Sequence, residues 1–199
     1  MVRPEAGLGK PANSTDIASP PEQRPTLSVP KIVSDAQIQT WRRAPGEPRP
    51  VAEIIRLSAG RHVTKVTIRD PYALGTRLSR QSQIDFLNDL KKAAGVLESI
   101  VIEYAPEADG DVDEMSCRRE FNSGLISTFA GAPPKIALVR RSERSRDDDF
   151  HDRSVEIDVR QAGGAVRRHD LMIGRGLEAL YNQRRQCTVT YVPPTLDLN

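Results

Sequence analysis

The chain has 199 residues, a formal net charge of +2 and a hydrophobic fraction of 38% that is poor in aromatic residues. This length suits one domain of ordinary size and excludes a large multidomain enzyme. No apolar run approaches the roughly 20 residues of a membrane-spanning helix, and the opening residues lack the apolar stretch of a secretory signal. We therefore expect a cytoplasmic protein. Two cysteines, Cys117 and Cys187, are too few for a disulfide framework or a multi-cysteine metal site.

Proline and charge both divide the chain near residue 50. Nine of the 15 prolines fall in the first 50 residues, together with seven Lys or Arg and five Asp or Glu. Because proline lacks a backbone donor and fixes φ, we predict a disordered, Pro-rich arm over residues 1–50. Residues 51–194 are assigned to one domain and residues 195–199 to a tail. Trp41, in the arm, is either a docking anchor for a partner, or an aromatic that folds back onto the domain or stays exposed to solvent.

The predicted domain is electrically neutral, with 22 basic and 22 acidic residues beyond residue 50. That balance argues against broad electrostatic capture of duplex DNA, which needs several cations on one face. A local anion site remains compatible with it. The run at residues 140–149 mixes both signs and is expected to form a solvated loop.

Hydrophobic periodicity predicts alternating strands and helices in the first part of the domain. Residues 51–57 fit either a helix or an edge strand. Strict alternation predicts a strand at 63–68, and apolar residues at helical spacing predict a helix at 82–94. The same reasoning predicts three further elements in chain order: a strand at 99–104, a helix at 115–130 and a strand at 135–139.

The second part of the domain has a different pattern. Residues 154–159 and 166–173 are predicted strands joined through Gly163-Gly164, which is typical of a hairpin. Residues 177–182 are expected to form a helical turn, and residues 187–192 to form a last strand. Alternating strands and helices followed by a hairpin predict an α/β fold with a mixed β-sheet.

One histidine lies among other functional groups, in the order His151, Asp152, Arg153 and Asp158. The spacing His-x-Arg-x-x-x-x-Asp resembles the His-x-Lys-x-x-x-x-Asp motif of the phospholipase D superfamily. In that superfamily the histidine attacks phosphorus, the cation binds phosphate oxygens and the carboxylate orients the system. Arginine in the lysine position preserves anion binding, because a guanidinium clamps oxyanions and is always charged. The enzymes of the superfamily combine two such motifs, whereas this chain has one.

A closer resemblance rests on three segments in order: Asp70-Pro71-Tyr72, His151-Asp152-Arg153, and Ile173-Gly174-Arg175-Gly176-Leu177. Over about residues 51–192 the chain is similar to the phospholipase-D-like domain at the C-terminus of MIT-domain proteins. The resemblance implies a mixed β-sheet flanked by helices, no demonstrated catalysis, a homodimer, and binding of acidic phospholipid headgroups at a membrane surface. The chain departs from that family in its Pro-rich arm, which has no three-helix MIT pattern.

These segments supply the candidate ligands for a phosphate group, which are Asp70, Tyr72, His151, Arg153 and Arg175. Glycines flank Arg175, so a phosphate can approach backbone N–H groups while the guanidinium closes over it. Asp70 is placed at the end of a strand, where α/β sheets tend to bind ligands.

Each candidate also has a structural alternative. Arg175 closes a tight turn by pairing with Asp152 or Asp158, and Arg153 pairs with Asp70 or Asp158 in a polar network that needs no ligand. His151 is a phosphorus nucleophile, a neutral hydrogen-bonding group beside the phosphate, or a core residue.

Three functions follow from these motifs. The leading hypothesis is a non-catalytic adaptor domain that forms a homodimer and binds a phosphate-bearing ligand, either an acidic lipid headgroup or a nucleic-acid backbone. The alternative is a dimeric phosphodiesterase or nuclease with His151, Arg153 and Asp158 as catalytic residues, one motif from each subunit. The third is an adaptor whose arm binds a protein partner. None of the three calls for a metal or a cofactor.

Overall fold

A computed structural model describes residues 37–105, 113–129, 131, 133–141 and 153–194. In this part of the chain one eight-stranded sheet is combined with four helices. The strands are β1 (Gln39–Arg43), β2 (His62–Arg69), β3 (Val96–Leu97), β4 (Ser99–Tyr104), β5 (Lys135–Arg140), β6 (Ser154–Arg160), β7 (Val166–Ile173) and β8 (Cys187–Val192). The helices are α1 (Val51–Ser58), α2 (Arg77–Ala93), α3 (Glu114–Thr128) and α4 (Gly176–Tyr181). The predicted α/β class with a mixed sheet is confirmed.

The sheet has the strand order β1-β8-β7-β6-β2-β4-β5, and the short β3 also pairs with β2. Strands β2, β4 and β5 are parallel, whereas β6, β7, β8 and β1 join the sheet as antiparallel neighbours. The carboxyl ends of β2, β4, β5 and β7 therefore lie at the same edge of the sheet as the start of β6. We call this the carboxyl edge.

The core lies on one face of the sheet. Along β6 the side chains of Val155, Ile157 and Val159 are buried and alternate with partly exposed polar residues. The buried residues of all four helices join the same apolar cluster as these valines and the isoleucine. The alternation in the sequence therefore identifies which face of each strand the helices cover. None of the helices described is long and apolar enough to cross a membrane.

The observed bounds resolve or extend several predictions. Residues 51–58, which fit either period, form α1. Helix α2 begins at Arg77, earlier than predicted, because the Thr76 side chain accepts a hydrogen bond from the amide of Ser79 at 3.0 Å and caps the helix. The first turn of α2 is largely polar, so the apolar period did not extend to it. Antiparallel pairing of β6 with β7 confirms the hairpin, with Gly164 at a φ of +85° in its turn.

The predicted arm boundary at residue 50 is wrong for residues 37–50. Within this segment β1 pairs with β8, with Trp41 opposite Val189. Trp41 is 8% exposed, and its indole N–H donates to Glu53 of α1 at 3.1 Å. Trp41 therefore folds back onto the domain, and a deletion that tests the arm must end before β1. The sequence did not predict β1, because a strand of five residues among prolines shows no recognisable hydrophobic period.

The remaining parts of the predicted arm and tail, residues 1–36 and 195–199, lie outside the described residues. So does most of the charged loop predicted at residues 140–149, of which Arg140 ends β5 and Arg141 follows it.

Candidate anion site

Three of the predicted ligands meet at the carboxyl edge of the sheet. Asp70 and Tyr72 follow β2, and Arg153 immediately precedes β6. The two strands are neighbours, with Arg69 opposite Ser154, so their adjacent ends bring these side chains together. Ligand sites of α/β sheets usually lie at this edge.

Asp70 is a buried carboxyl group, only 5% exposed. The amide of Tyr72 donates to its Oδ1 at 2.9 Å, which forms a turn around Pro71, directly after β2. Burial raises the pKa of Asp70 above its ordinary value. The Tyr72 hydrogen bond and the charge of Arg153 act against this, while the charge of Glu178 adds to it.

The Arg153 side chain is held on two sides. Its Nε lies 3.4 Å from Asp70 Oδ1, and its guanidinium carbon lies 4.8 Å from the centre of the Tyr72 ring. Such stacking is a cation–π contact, and it leaves the in-plane N–H donors free to point elsewhere. The side chain of Arg153 is 24% exposed, and Tyr72 is 52% exposed. The predicted pairing of Arg153 with Asp70 is therefore present, on a side chain that still reaches solvent.

Gly176 brings the start of α4 against this ion pair. Its φ is +71°, a conformation that favours glycine. A Cβ at this position would lie 2.5 Å from Asp70 Oδ2 and 3.1 Å from Arg153 Cδ. No side chain fits there without displacing the pair. Arg175, the residue before Gly176, is exposed at the start of α4.

The Arg153–Asp70 ion pair is longer than the closest ion pairs of the sheet. Arg141 makes two hydrogen bonds with Glu103, at 2.6 and 3.1 Å, and Arg168 makes two with Asp158, at 2.8 and 3.3 Å. Within the described residues, Arg153 has the single longer contact with Asp70. A guanidinium carries five N–H donors, and among the described residues the contact with Asp70 accounts for only part of that capacity.

Asp158 is not brought to this group. It lies five residues beyond Arg153 along β6, about 16 Å for an extended strand. Its side chain lies on the face opposite the core and pairs with Arg168. Neither of the predicted pairings of Asp158, with Arg153 or with Arg175, occurs. His151 and Asp152 lie outside the described residues, so the roles predicted for them stay predictions.

Sequence reasoning missed two acidic residues near this edge. Glu103, on β4, is 7% exposed and accepts hydrogen bonds from Arg69 and Arg141 on the face of the sheet opposite the core. Glu178 of α4 faces Asp70 electrostatically and pairs with Arg185 at 3.0 Å. Each of these carboxylates stands alone in an apolar stretch, so no motif marks it. The described residues contain no group of three or more His, Cys, Asp or Glu placed to hold a metal ion.

Comparison with known proteins adds no relative. No protein-family model matches the chain, and no curated protein matches it. The resemblance to the phospholipase-D-like domain of MIT-domain proteins therefore stays a prediction. The geometry at the carboxyl edge is what bears on function.

Proposed function

We propose that the chain is a non-catalytic, phospholipase-D-like adaptor domain that binds a phosphate-bearing ligand at the carboxyl edge. The observation that carries the proposal is the Arg153 guanidinium, stacked on Tyr72, held by Asp70 through one long contact and open to solvent. A guanidinium fixed in this way suits the tetrahedral oxygens of a phosphate group. The proposed assembly is a homodimer.

Electrostatics favours a small anionic group over an extended polyanion surface. Arg153 and the exposed Arg175 offer cations beside Gly176, while Asp70 and Glu178 lie behind them. Those carboxylates repel any anion that is not bound directly by the arginines. The ligand is therefore proposed to place one phosphate at the arginines, whether that phosphate belongs to an acidic lipid headgroup or to a nucleic-acid backbone.

Recognition is favoured over catalysis because the carboxylate of the motif is engaged away from Arg153. Arginine is always charged, so Arg153 can still bind oxyanions in the lysine position. Asp158, the carboxylate of the motif, pairs with Arg168 on the other face of the sheet. The role of His151 as a nucleophile in a dimeric phosphodiesterase remains the alternative that the test must address.

The test compares phosphate binding by single-arginine variants. Arg153→Ala and Arg175→Ala are each expected to weaken the Kd for inorganic phosphate about tenfold, because a charge-assisted hydrogen bond contributes about 1.5–3 kcal/mol. Arg167→Ala is the matched control, since Arg167 is an exposed arginine near the β6–β7 turn, at the opposite end of β7. Circular dichroism verifies that each variant is folded.

Further arms identify the source of the phosphate and check for turnover. Vesicles with an acidic headgroup and single-stranded DNA are compared as ligands of the wild type and Arg153→Ala. A folded Arg153→Ala, Arg175→Ala double variant that binds phosphate as well as wild type overturns the proposal. Hydrolysis of a phosphodiester that is lost in His151→Ala replaces it with the enzyme. Light scattering reports the oligomeric state in both cases.

A further inference from the structure

A separate cleft lies between α1 and the last turns of α2. Its volume is about 800 Å³. The first turn of α2 contacts the anion site, where the Ser79 hydroxyl donates to the Tyr72 carbonyl at 3.0 Å, whereas Lys92 lines the cleft. Thirteen residues of helix separate Ser79 from Lys92, which is about 20 Å. The cleft is therefore remote from the proposed phosphate site and independent of it.

The floor of the cleft is apolar. Val51, Ile55 and Ala59 of the α1 segment line it, and Ala52 and Ala93 contribute two further small side chains. Ile55 is buried in the core, whereas Ala52 and Ala93 are exposed. Because Ala52 and Ala93 have small side chains, they leave open space above the hydrophobic surface of the floor. A volume of this size is typical of small-molecule sites.

Arg49 supplies a fixed cation at one end of the cleft. Its Nη2 donates to the carbonyls of Asn182, at 3.1 Å, and Arg185, and its Nη1 donates to the carbonyl of Arg43 at 3.4 Å. Its Nε is buried and has no acceptor among the described residues. No carboxylate in that part of the chain lies within 4 Å of this guanidinium. Arg49 therefore brings a positive charge that no described carboxylate compensates.

The single acid of the cleft is already engaged. Asp89 accepts a hydrogen bond from the Tyr181 hydroxyl at 2.9 Å and pairs with Lys92 at 3.1 Å. Burial raises the pKa of Tyr181, with a further contribution from the charge of Asp89, so this hydroxyl remains a donor. With Arg56, the lining residues hold three cations against one carboxylate, which gives the cleft a positive balance.

We propose that this cleft binds an amphipathic oxyanion, a small molecule with one anionic head on an apolar body. The floor receives the apolar body, and the cations at Arg49, Arg56 and Lys92 select the charge of the head. A neutral molecule of the same shape gains the hydrophobic contact but not the ion pairing. A cation of the same shape is repelled by the positive charges that line the cleft.

Decanoate is the probe, with decanol and decyltrimethylammonium as the matched neutral and cationic molecules, all below their micelle concentrations. Titration of the full chain is expected to show saturable decanoate binding at least tenfold tighter than decanol, and weakest binding of the cation. Ala52→Leu, which fills the cleft from α1, is expected to weaken decanoate binding at least tenfold. Gln81→Leu, at an exposed α2 position outside the cleft lining, is its control.

The charge preference has its own variants. The Arg56→Ala, Lys92→Ala double variant, which keeps Arg49, is expected to narrow the difference in affinity between decanoate and decanol, whereas Arg119→Ala, on the exposed surface of α3, leaves that difference unchanged. Arg153→Ala is also expected to leave it unchanged, because the two sites are separate. Equal affinity for decanoate and decanol, insensitivity to Ala52→Leu, or absence of saturable binding would each overturn the proposal.

Discussion

Gly176 is the residue whose identity is most narrowly constrained in the anion site. It combines a φ of +71° with a close approach to the Asp70 carboxylate, and each feature excludes side chains for a different reason. At this positive φ a Cβ would clash with the backbone of its own residue and its neighbours. A Cβ would also clash with the Asp70 carboxylate. The Gly-Arg-Gly sequence signalled a tight turn but not the carboxylate behind it.

Gly176→Ala is expected to lower the free energy of unfolding by roughly 1–3 kcal/mol and to weaken phosphate binding. Gly164→Ala is the matched control, since Gly164 has a φ of +85° but nothing within 4 Å of a Cβ. Urea denaturation of both variants measures the difference. An equal loss in the two variants would mean that contact with Asp70 contributes nothing.

We expect the buried Asp70 carboxylate to reduce the stability of the folded protein, although its contact with Arg153 serves the anion site. Because its pKa in the folded state is raised, the folded protein binds more protons than the unfolded chain at pH values just above 3.8. The contribution of Asp70 to stability therefore falls as pH rises through the folded pKa. Such an exchange of stability for function is common at binding sites.

Asp70→Asn keeps an acceptor for the Tyr72 amide and removes the charge. We expect the variant to become more stable relative to wild type, with a larger free energy of unfolding, as pH rises from about 4 to 7. Parallel urea titrations at the two pH values measure the change. A variant that is relatively less stable at pH 7 than at pH 4 would show that the ion pair outweighs burial of the carboxylate.

At the scale of elements, a series of hydrogen bonds joins α1 to strands β7 and β8. His169 Nδ1 of β7 lies 2.8 Å from the Tyr191 hydroxyl of β8, which donates to the Leu57 carbonyl of α1 at 3.3 Å. The arrangement is satisfied when a neutral His169 donates from Nδ1 to Tyr191. Burial lowers the pKa of His169, and the charge of Arg167 adds to this.

The sign of the pH effect follows from that lowered pKa. Between the folded pKa and the unfolded value near 6.5, the unfolded chain binds the proton and the folded protein does not, so stability falls as pH drops below 6.5. NMR titration of the His169 ring is expected to give a pKa below 6.5. A value at or above 6.5 would contradict the assignment of a neutral, buried donor.

Strands with a clear hydrophobic pattern were predictable from the sequence. A strand whose stability depends on pairing with a distant part of the chain was not. Strands 99–104, 166–173 and 187–192 were predicted with the bounds that the structure has, because apolar and polar residues alternate along them or buried aliphatic residues run together. β1 was missed because its stability depends on pairing with β8 and on Trp41 packing against the core. Local sequence carries no record of such a long-range partner.

For the whole molecule, the neutral charge balance has a counterpart on the face of the sheet opposite the core. There, charged side chains of four neighbouring strands and the residue after β5 pair across the sheet. The ion pairs of this network include Arg141–Glu103, Arg69–Glu103, Arg69–Glu156, Arg168–Glu156 and Arg168–Asp158. Composition predicted the balance, whereas the pairing depends on strand order, which periodicity does not encode.

The candidate site was predictable in part for the same reason. The segments Asp70-Pro71-Tyr72 and His151-Asp152-Arg153 supplied Asp70, Tyr72 and Arg153 as candidates, and the strand order brings these three side chains together. The motif also grouped Asp158 with these residues. A linear motif does not show that Asp158, five positions after Arg153 along a strand, lies on the opposite face of the sheet.

The central claim is that phosphate binds at Arg153 beside Gly176, and amide NMR shift mapping during a titration with inorganic phosphate tests it most directly. The account predicts saturable shifts of the Tyr72 and Gly176 amides, with Gly163 and Gly164 at the distant hairpin turn unchanged. Shifts confined to other parts of the chain, or Tyr72 and Gly176 amides that do not move at any phosphate concentration tested, would contradict it.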